Sequence, residues 1–395
     1  MYILGIDTSC DDTCIALLEI RNWKLEILSN VVSSQVKLHA KYGGVYPMLA
    51  KREHQRNLPM VLKRVLKGAG FANPKFQAPN PKQIPNSKFQ IPKIDLIAVT
   101  VGPGLEPCLW QGVNFAKEIA QKFKKPLIPV NHVESHILAN WLNTKYEIQN
   151  TRYLFPAVCL VVSGGHTQLV LMRNFGKYQI LGETRDDAAG ECFDKAARIL
   201  GLGYPGGPAI AAEAAMEIRS TKYEETKKSS DLQTSYFRLR LPRPMMHTKD
   251  YDFSFSGLKT AILYKVRSMK SEETKKKEFI REMCAEVQQA IIDVLIRKTL
   301  KAAKDFRVKT IILGGGVVAN EELRKQFQEK IYKELPNIPA RQRPEPQALA
   351  GGQYLIPSIQ FCTDNAAMVA VTAYFHQKEA TKNWQEIKAD ANIKI

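Results

Sequence analysis

The chain has 395 residues, a hydrophobic content of 45% and a formal net charge of +18 at pH 7. That length allows two packed domains with a sizeable core, and no apolar run approaches the roughly 20 residues of a membrane span, so a soluble, globular protein is expected. The charge favours an anionic partner, nucleic acid first, although lysine runs can equally be solvated faces.

Residues 3–6 and 13–20 read as two strands joined by the acidic turn Asp7-Thr8-Ser9-Cys10-Asp11-Asp12. Because the chain opens directly on a strand, no signal or transit peptide is expected. The stretch 33–68 carries Lys37, His39, Lys41, Lys51, Arg52, His54 and Arg56 around a Gly43-Gly44 break. It reads evenly as a solvated helix face or as a surface for RNA. Five prolines (74, 79, 81, 85 and 92) among Asn, Gln and Lys mark 71–93 as a surface insertion. A strand over 94–101 then runs into Gly102-Pro103-Gly104 and a helix over about 108–123.

Next comes Asn131-His132-Val133-Glu134-Ser135-His136, with two of the seven histidines. Pro126 and Pro129 end the preceding segment, Asn131 can cap a helix, and Val133, Ile137, Leu138, Trp141 and Leu142 form its apolar stripe. On such a helix His132 and His136 lie one turn apart on one face. They are close enough to share a metal, or are two ordinary polar positions; the pair alone leaves both open. Glu134 falls roughly 200° around the helix from His132. The zinc-peptidase pattern H-E-x-x-H puts its general base one residue after the first histidine, so a peptidase is excluded.

The second half repeats the order of the first. A hairpin, 157–162 and 167–172, turns at Ser163-Gly164-Gly165-His166; a strand over 309–313 runs into Gly314-Gly315-Gly316 and a helix over about 320–333. Lysine-rich 221–229 and 268–277 read as exposed ends or linkers, and 334–357, with five more prolines, as another insertion. The pattern predicts a duplicated α/β protein with lobes 1–150 and 151–395. The order fits the two-lobed actin-like architecture (ASKHA, ribonuclease H-like). There a nucleotide's phosphates lie in the interlobe cleft against hairpin turns of small residues, near the positive end of a helix. The seven cysteines are scattered, with no C-x-x-C, which indicates reduced thiols and a cytoplasmic protein.

Read together, these segments resemble one family over nearly the whole chain. They are Asp7 to Thr13, Ser34 to His39, Gly102 to Leu105, His132-x-Glu-x-His136 and Val162-Ser163-Gly164-Gly165-His166-Thr167-Gln168. Further on stand Asp186 to Lys195, Tyr204 to Pro208, Phe253 to Thr260, Gly314 to Asn320 and Phe361-Cys362-Thr363-Asp364-Asn365. The chain is similar to the tRNA N6-adenosine threonylcarbamoyltransferases, formerly called O-sialoglycoprotein endopeptidases. The resemblance implies transfer of the L-threonylcarbamoyl group from threonylcarbamoyl-AMP to N6 of adenosine 37, in tRNAs reading codons that begin with A. It implies one metal, Fe(II) with Zn(II) as the alternative, held by His132, His136 and Asp364. The acyl-adenylate would lie against Val161, Val162, Ser163, Gly164, Gly165, Asp194, Gly207 and Asn320.

Asp12, or second Asp11, is the expected proton acceptor. Asp187 and Asp194 would share a helix face if their segment is helical, while Asp187 and Asn320 could instead be helix caps. Implied partners are tRNA, a paralogous actin-like protein and a small ATPase; no membrane is involved. The chain departs from the family at Asp7 and Asp12, where many members carry Glu, and at Ala211, where some place an acidic nucleoside contact. Two rivals share the architecture: an actin-like ATPase or kinase, and a non-catalytic scaffold of a tRNA-modification complex.

Overall fold

Alternating apolar residues in the first 131 positions build one sheet. Its strands are β1 (Tyr2–Asp7), β2 (Asp12–Arg21), β3 (Lys24–Ser34), β4 (Leu96–Gly102) and β5 (Leu127–Asn131), in the order β3-β2-β1-β4-β5. β1 and β2 pair antiparallel, as do β2 and β3, whereas β1, β4 and β5 run parallel. This computed structural model describes residues 1–71, 94–142, 154–225, 239–269, 271–274, 276–335 and 353–395. The helices of this part are α1 (Val36–His39), α2 (Pro47–Gly68), α3 (Glu106–Phe123) and α4 (His132–Leu138).

The second sheet follows the same plan. β6 (Ala157–Val162), β7 (Thr167–Asn174) and β8 (Lys177–Glu183) form an antiparallel meander. β9 (Thr310–Gly314) and β10 (Gln353–Leu355) add parallel strands beside β6, giving the order β10-β9-β6-β7-β8. Around it lie α5 (Ala189–Ile199), α6 (Gly206–Glu225), α7 (Ser256–Arg267), α8 (Ser271–Thr274), α9 (Lys277–Asp305) and α10 (Glu321–Glu334). Three antiparallel strands followed by two parallel ones, in matching order, constitute the duplication expected from the two hairpins.

The last helix, α11 (Ala366–Phe375), departs from simple succession. It is buried along Ala366 to Tyr374 and packs on β1, β2 and β4 of the first sheet, although it follows the second in sequence. A helix apolar on every side has no face that would tell which sheet it covers. Gly5 makes the contact possible, since a Cβ there would overlap the Ala366 carbonyl and stand 3.1 Å from Ala370 Cβ. One core cluster therefore spans both lobes: Ile3, Ala16 and Ala98 of the first sheet, Cys159, Val161 and Ile312 of the second, and α4 and α11 between them.

Several expectations fall differently in the structure. β3 was not foreseen: it is an edge strand with no fully buried residue, so its apolar signal is weak. β10 lies inside the stretch read as the second insertion and is a paired strand of the sheet. The rest of that insertion between 336 and 352, and 72–93 of the first, lie outside the described residues, as do 226–229 of one lysine-rich stretch and 270 and 275 of the other. Phe71 is described, and its ring meets Tyr2 edge-on at 6.4 Å. In the basic stretch the two histidines turn inward. His54 bonds Thr13 Oγ1 at 2.8 Å and the Cys10 carbonyl at 3.0 Å, and His39 bonds Gln35 Oε1 at 3.2 Å. Lys37, Lys41, Arg52 and Arg56 remain exposed, and Lys51 is half-buried.

Candidate metal centre

Asn131 ends β5 and caps α4, its Oδ1 accepting from the backbone N–H of Val133 (2.9 Å) and Glu134 (3.2 Å). The cap starts the helix at His132 and so sets where both imidazoles point. Asp364 arrives from the turn before α11, where Asn365 caps in the same way by accepting from Met368 N at 3.0 Å. Asp364 Oδ1 stands 3.5 Å from His132 Nε2 and 3.3 Å from His136 Nε2, and the three ligand atoms lie within 4.8 Å of one another. Two ligands bound to one tetrahedral metal stand about 3.4 Å apart, so the spacing suits a shared ion.

The polar bookkeeping points the same way. His136 is buried, yet neither ring nitrogen makes a hydrogen bond among the described residues. A buried imidazole whose polar neighbour, Asp364 Oδ1 at 3.3 Å, is not in hydrogen-bonding geometry is unfavourable unless something else occupies its lone pair. Burial lowers the His136 pKa, which keeps the ring in the neutral, ligating form. Burial would lower His132 too, but Asp364 and Asp7 raise it to about 10. Burial alone would raise Asp364; the two imidazoles hold it well below the usual carboxylate range. Without metal, a proton on His132 thus supplies the positive charge that a divalent cation would bring.

Two residues of this centre were not foreseen from the sequence. Asp7 is fully buried and contacts His132 Nδ1 through Oδ2 at 3.1 Å, aiming Nε2 at the centre in the carboxylate–imidazole–metal manner. Ser9 donates its backbone N–H to Asp7 Oδ1 (2.8 Å) and its hydroxyl to Asp364 Oδ2 (3.4 Å). The signal in the sequence is the acidic turn itself. His166 belongs to the same electrostatic neighbourhood: burial lowers it to about 4, and His132 and His136 press in the same direction.

The remaining site residues of the sequence reading are distributed over both lobes. Burial, opposed by Ser34 and reinforced by Asp364 and Asp11, raises Asp12 to about 7, and it raises Asp11 as well. Asp12 Oδ1 and Asp11 Oδ2 are buried without a hydrogen-bond partner among the described residues. In the second lobe, Val161 and Val162 are buried at the end of β6, and Gly164 and Gly165 are exposed, with open space where a side chain would stand. Ser163 Oγ accepts from His166 N at 3.1 Å and closes the turn.

Asp194 Oδ1 accepts from Gly206 N at 2.7 Å, tying α5 to the start of α6 beside Gly207. Asn320 caps α10 through Leu323 N (2.9 Å) and donates to Gln288 Oε1 (2.7 Å), the capping role weighed for it. Asp187 precedes α5, so it does not share a helix face with Asp194, and it does not cap the helix. It pairs with Lys195 at 2.7 Å and Lys259 at 3.6 Å.

Glu134 faces away from the metal side, as the helix geometry requires. Its Oε1 accepts from Tyr178 Oη and from His376 Nε2, both at 2.7 Å, and His376 Nδ1 meets Glu379 at 2.7 Å. Glu134, helped by Glu379 and opposed by burial, raises His376 to about 9. An unfolded histidine titrates near about 6.5. The pair's stabilisation is therefore complete below that pH and fades as pH rises through about 9. The difference in Tm between the parent and His376→Gln should be largest near pH 6 and close above pH 9; a difference constant with pH would contradict the ion pair.

Two lobes of one repeated β/α plan, with a His–His–Asp cluster at their junction, define the class: an actin-like α/β protein of the ASKHA, ribonuclease H-like type with a site for a metal ion. Over residues 26–78 and 82–371 the chain matches the family model described as TsaD: tRNA N6-adenosine threonylcarbamoyltransferase, and it belongs to that family. It is 41% identical over 395 residues to the tRNA N6-adenosine threonylcarbamoyltransferase of Thermosipho africanus (strain TCF52B), covering 100% of both chains. It is 43% identical over 374 residues to the protein of that name from Syntrophomonas wolfei subsp. wolfei, covering 95% of this chain and 92% of the other. Among solved structures, a ROK family glucokinase from Streptomyces griseus in complex with glucose and AMPPNP aligns with TM-score 0.40 and 11% identity, covering 96% of this chain and 100% of that one. That likeness is too loose to argue from.

Proposed function

We propose that this chain transfers the L-threonylcarbamoyl group from threonylcarbamoyl-AMP to N6 of adenosine 37 of tRNAs reading codons that begin with A, releasing AMP. The observation that carries the reading is the direct packing of the metal helix against the glycine turns. A Cβ at Gly314 would stand 2.5 Å from the His136 carbonyl oxygen, and Gly315, at φ +96°, abuts the Val162 carbonyl. An acyl-adenylate with its phosphate at Ser163-Gly164-Gly165 would thereby have its acyl end near His132, His136 and Asp364.

Val161 and Val162 are buried on opposite faces of the second sheet and would meet the donor through backbone at the end of β6, Asp194 and Gly207 would flank the nucleoside, and Asn320 would close the far side. The metal, Fe(II) or alternatively Zn(II), supplies Lewis acidity and a template for donor oxygens. The exocyclic N6 attacks the carbamoyl carbon, an N–C bond forms, the C–O bond to phosphate breaks and AMP leaves. The proton from N6 passes to Asp12, with Asp11 as the second acceptor. Adenine N6 is a poor nucleophile, so holding it in line with the carbonyl contributes most. Position 37 lies in a single-stranded loop, and its base can turn into the cleft at modest cost. An ATPase or kinase shares the fold, but Mg–nucleotide sites are built from carboxylates and water rather than two imidazoles.

We assign the exposed Lys37, Lys41 and Arg52 to tRNA phosphates, and a paralogous actin-like protein and a small ATPase as working partners. Neutralising the three should weaken tRNA binding and reduce the slope of log affinity against log salt by about 2, at roughly 0.7 per lost contact. Donor binding should not change. An unchanged slope would return this surface to a solvated face. The reading as a whole is tested by mass analysis of tRNA nucleosides after incubation with donor, partner proteins and this chain. Threonylcarbamoyladenosine is expected with parent tRNA and not with tRNA carrying guanosine at position 37. Its absence with both would refute the function.

A further inference from the structure

We propose that Glu134 and His376 are positioning residues of the metal centre, clamping α4 and α11 together from the side opposite the ligands. The inference rests on the metal reading and extends it to residues that touch no ligand. α11 carries Asp364 just before its first turn and His376 just after its last. α4 carries His132 and His136 on one face and Glu134 on the other. Beyond the apolar core they share, the two helices therefore make polar contacts at two points on opposite faces of α4. One is the ligand cluster, at 3.3 and 3.5 Å; the other is the Glu134–His376 contact at 2.7 Å.

Two separated contacts fix both the translation and the rotation of one helix against the other, which a single contact cannot do. Tyr178 of β8 adds a third tie at 2.7 Å, so the clamp is anchored to the second sheet. The Glu134 side chain is only 8% exposed and that of His376 17%, so the charge pair is largely shielded from water and held in one geometry. A ligand set must be held within about 0.5 Å to bind its metal well. Here one of the three ligands comes from α11, and the apolar packing it shares with α4, being non-directional, does not fix the register of the two helices to that tolerance. This also accounts for Glu134 in the His-x-Glu-x-His pattern: a carboxylate already accepting two hydrogen bonds on the far side of the helix is not a general base.

The test uses Co(II), whose visible absorption reports ligand geometry, titrated into the full metal-free chain. The parent is expected to bind one ion per chain. His376→Ala should weaken binding by about tenfold, the lower end of what partners bonded directly to metal ligands contribute, and alter the visible bands. His376→Gln, whose amide N–H stands where Nε2 does, should restore most of the affinity. If His376→Ala does not fold, Glu134→Leu keeps apolar bulk and removes the acceptor, and a weaker, spectrally altered site is expected there too. A role in general stability alone would lower Tm while the folded variants kept parent affinity and spectrum, and that result would overturn the clamp. A parent chain that binds no Co(II) would instead overturn the metal site itself, and the inference with it.

Discussion

Asp364→Ala is expected to remove the metal and transfer activity together. The substitution leaves two imidazoles on α4 and nothing from α11, so a three-ligand site becomes a two-ligand one. Metal content should fall from one per chain to a small fraction, and turnover by at least about 100-fold, since outer partners alone are worth 10- to 100-fold. His132→Ala and His136→Ala should behave alike. Asp7→Asn gives a graded control: all three ligands remain, but the carboxylate that aims His132 is neutralised at 3.1 Å, so affinity should fall less than with a ligand removed. Elemental analysis of the purified variants reads this directly. Full occupancy in Asp364→Ala would show that the cluster is a buried ion pair and not a ligand set.

Asp12→Asn is the second large effect. A proton acceptor removed from the transfer step should lower turnover by roughly 10²- to 10⁴-fold, with metal content unchanged because Asp12 is not a ligand. Since Asp12 titrates at about 7, parent activity should climb as pH rises through that value, and this limb should be missing from the residual activity of the variant. Stability should move in the opposite direction. A carboxyl whose pKa is raised on folding makes the folded state bind more protons than the unfolded one, so the charged form is penalised and the parent loses stability as pH rises from about 4 to 7. Asp12→Asn escapes that penalty, and its Tm should exceed the parent's by a margin that grows over the same range and is flat above it. A variant that lost activity and Tm alike would point to a structural role. Such opposition between stability and activity is usual where a charge is kept buried for chemistry.

How far the sequence reaches can be judged at particular residues. The hairpins at 3–20 and 157–172 were readable because their strands are apolar and their turns are small or acidic, and the repeated order carried the two-lobed architecture. His132 and His136 were readable as a pair because helix periodicity brings i and i+4 to one face. Asp364 was not readable from spacing, since its approach depends on α11 crossing to the first sheet, and a helix buried on all sides carries no directional pattern. Only the family resemblance named it. Asp7 is unreadable for a related reason: a carboxylate at a strand end looks like any turn acid until its buried contact with His132 Nδ1 is known. Asp194 and Asn320 were named for ligand contacts; the Asn320 bond to Leu323 N is the cap that its place before a helix allows, whereas the bonds to Gly206 and Gln288 follow from no spacing rule.

The claim on which the account stands is that His132, His136 and Asp364 hold one ion at the junction of the lobes. Anomalous diffraction from crystals grown with iron under anaerobic conditions measures this directly. The account predicts a single strong peak at the iron edge, within about 2.0–2.3 Å of both Nε2 atoms and a carboxylate oxygen of Asp364. A peak at the zinc edge alone would keep the site and change the ion. No peak between the three side chains, in protein active in tRNA modification, would contradict the account.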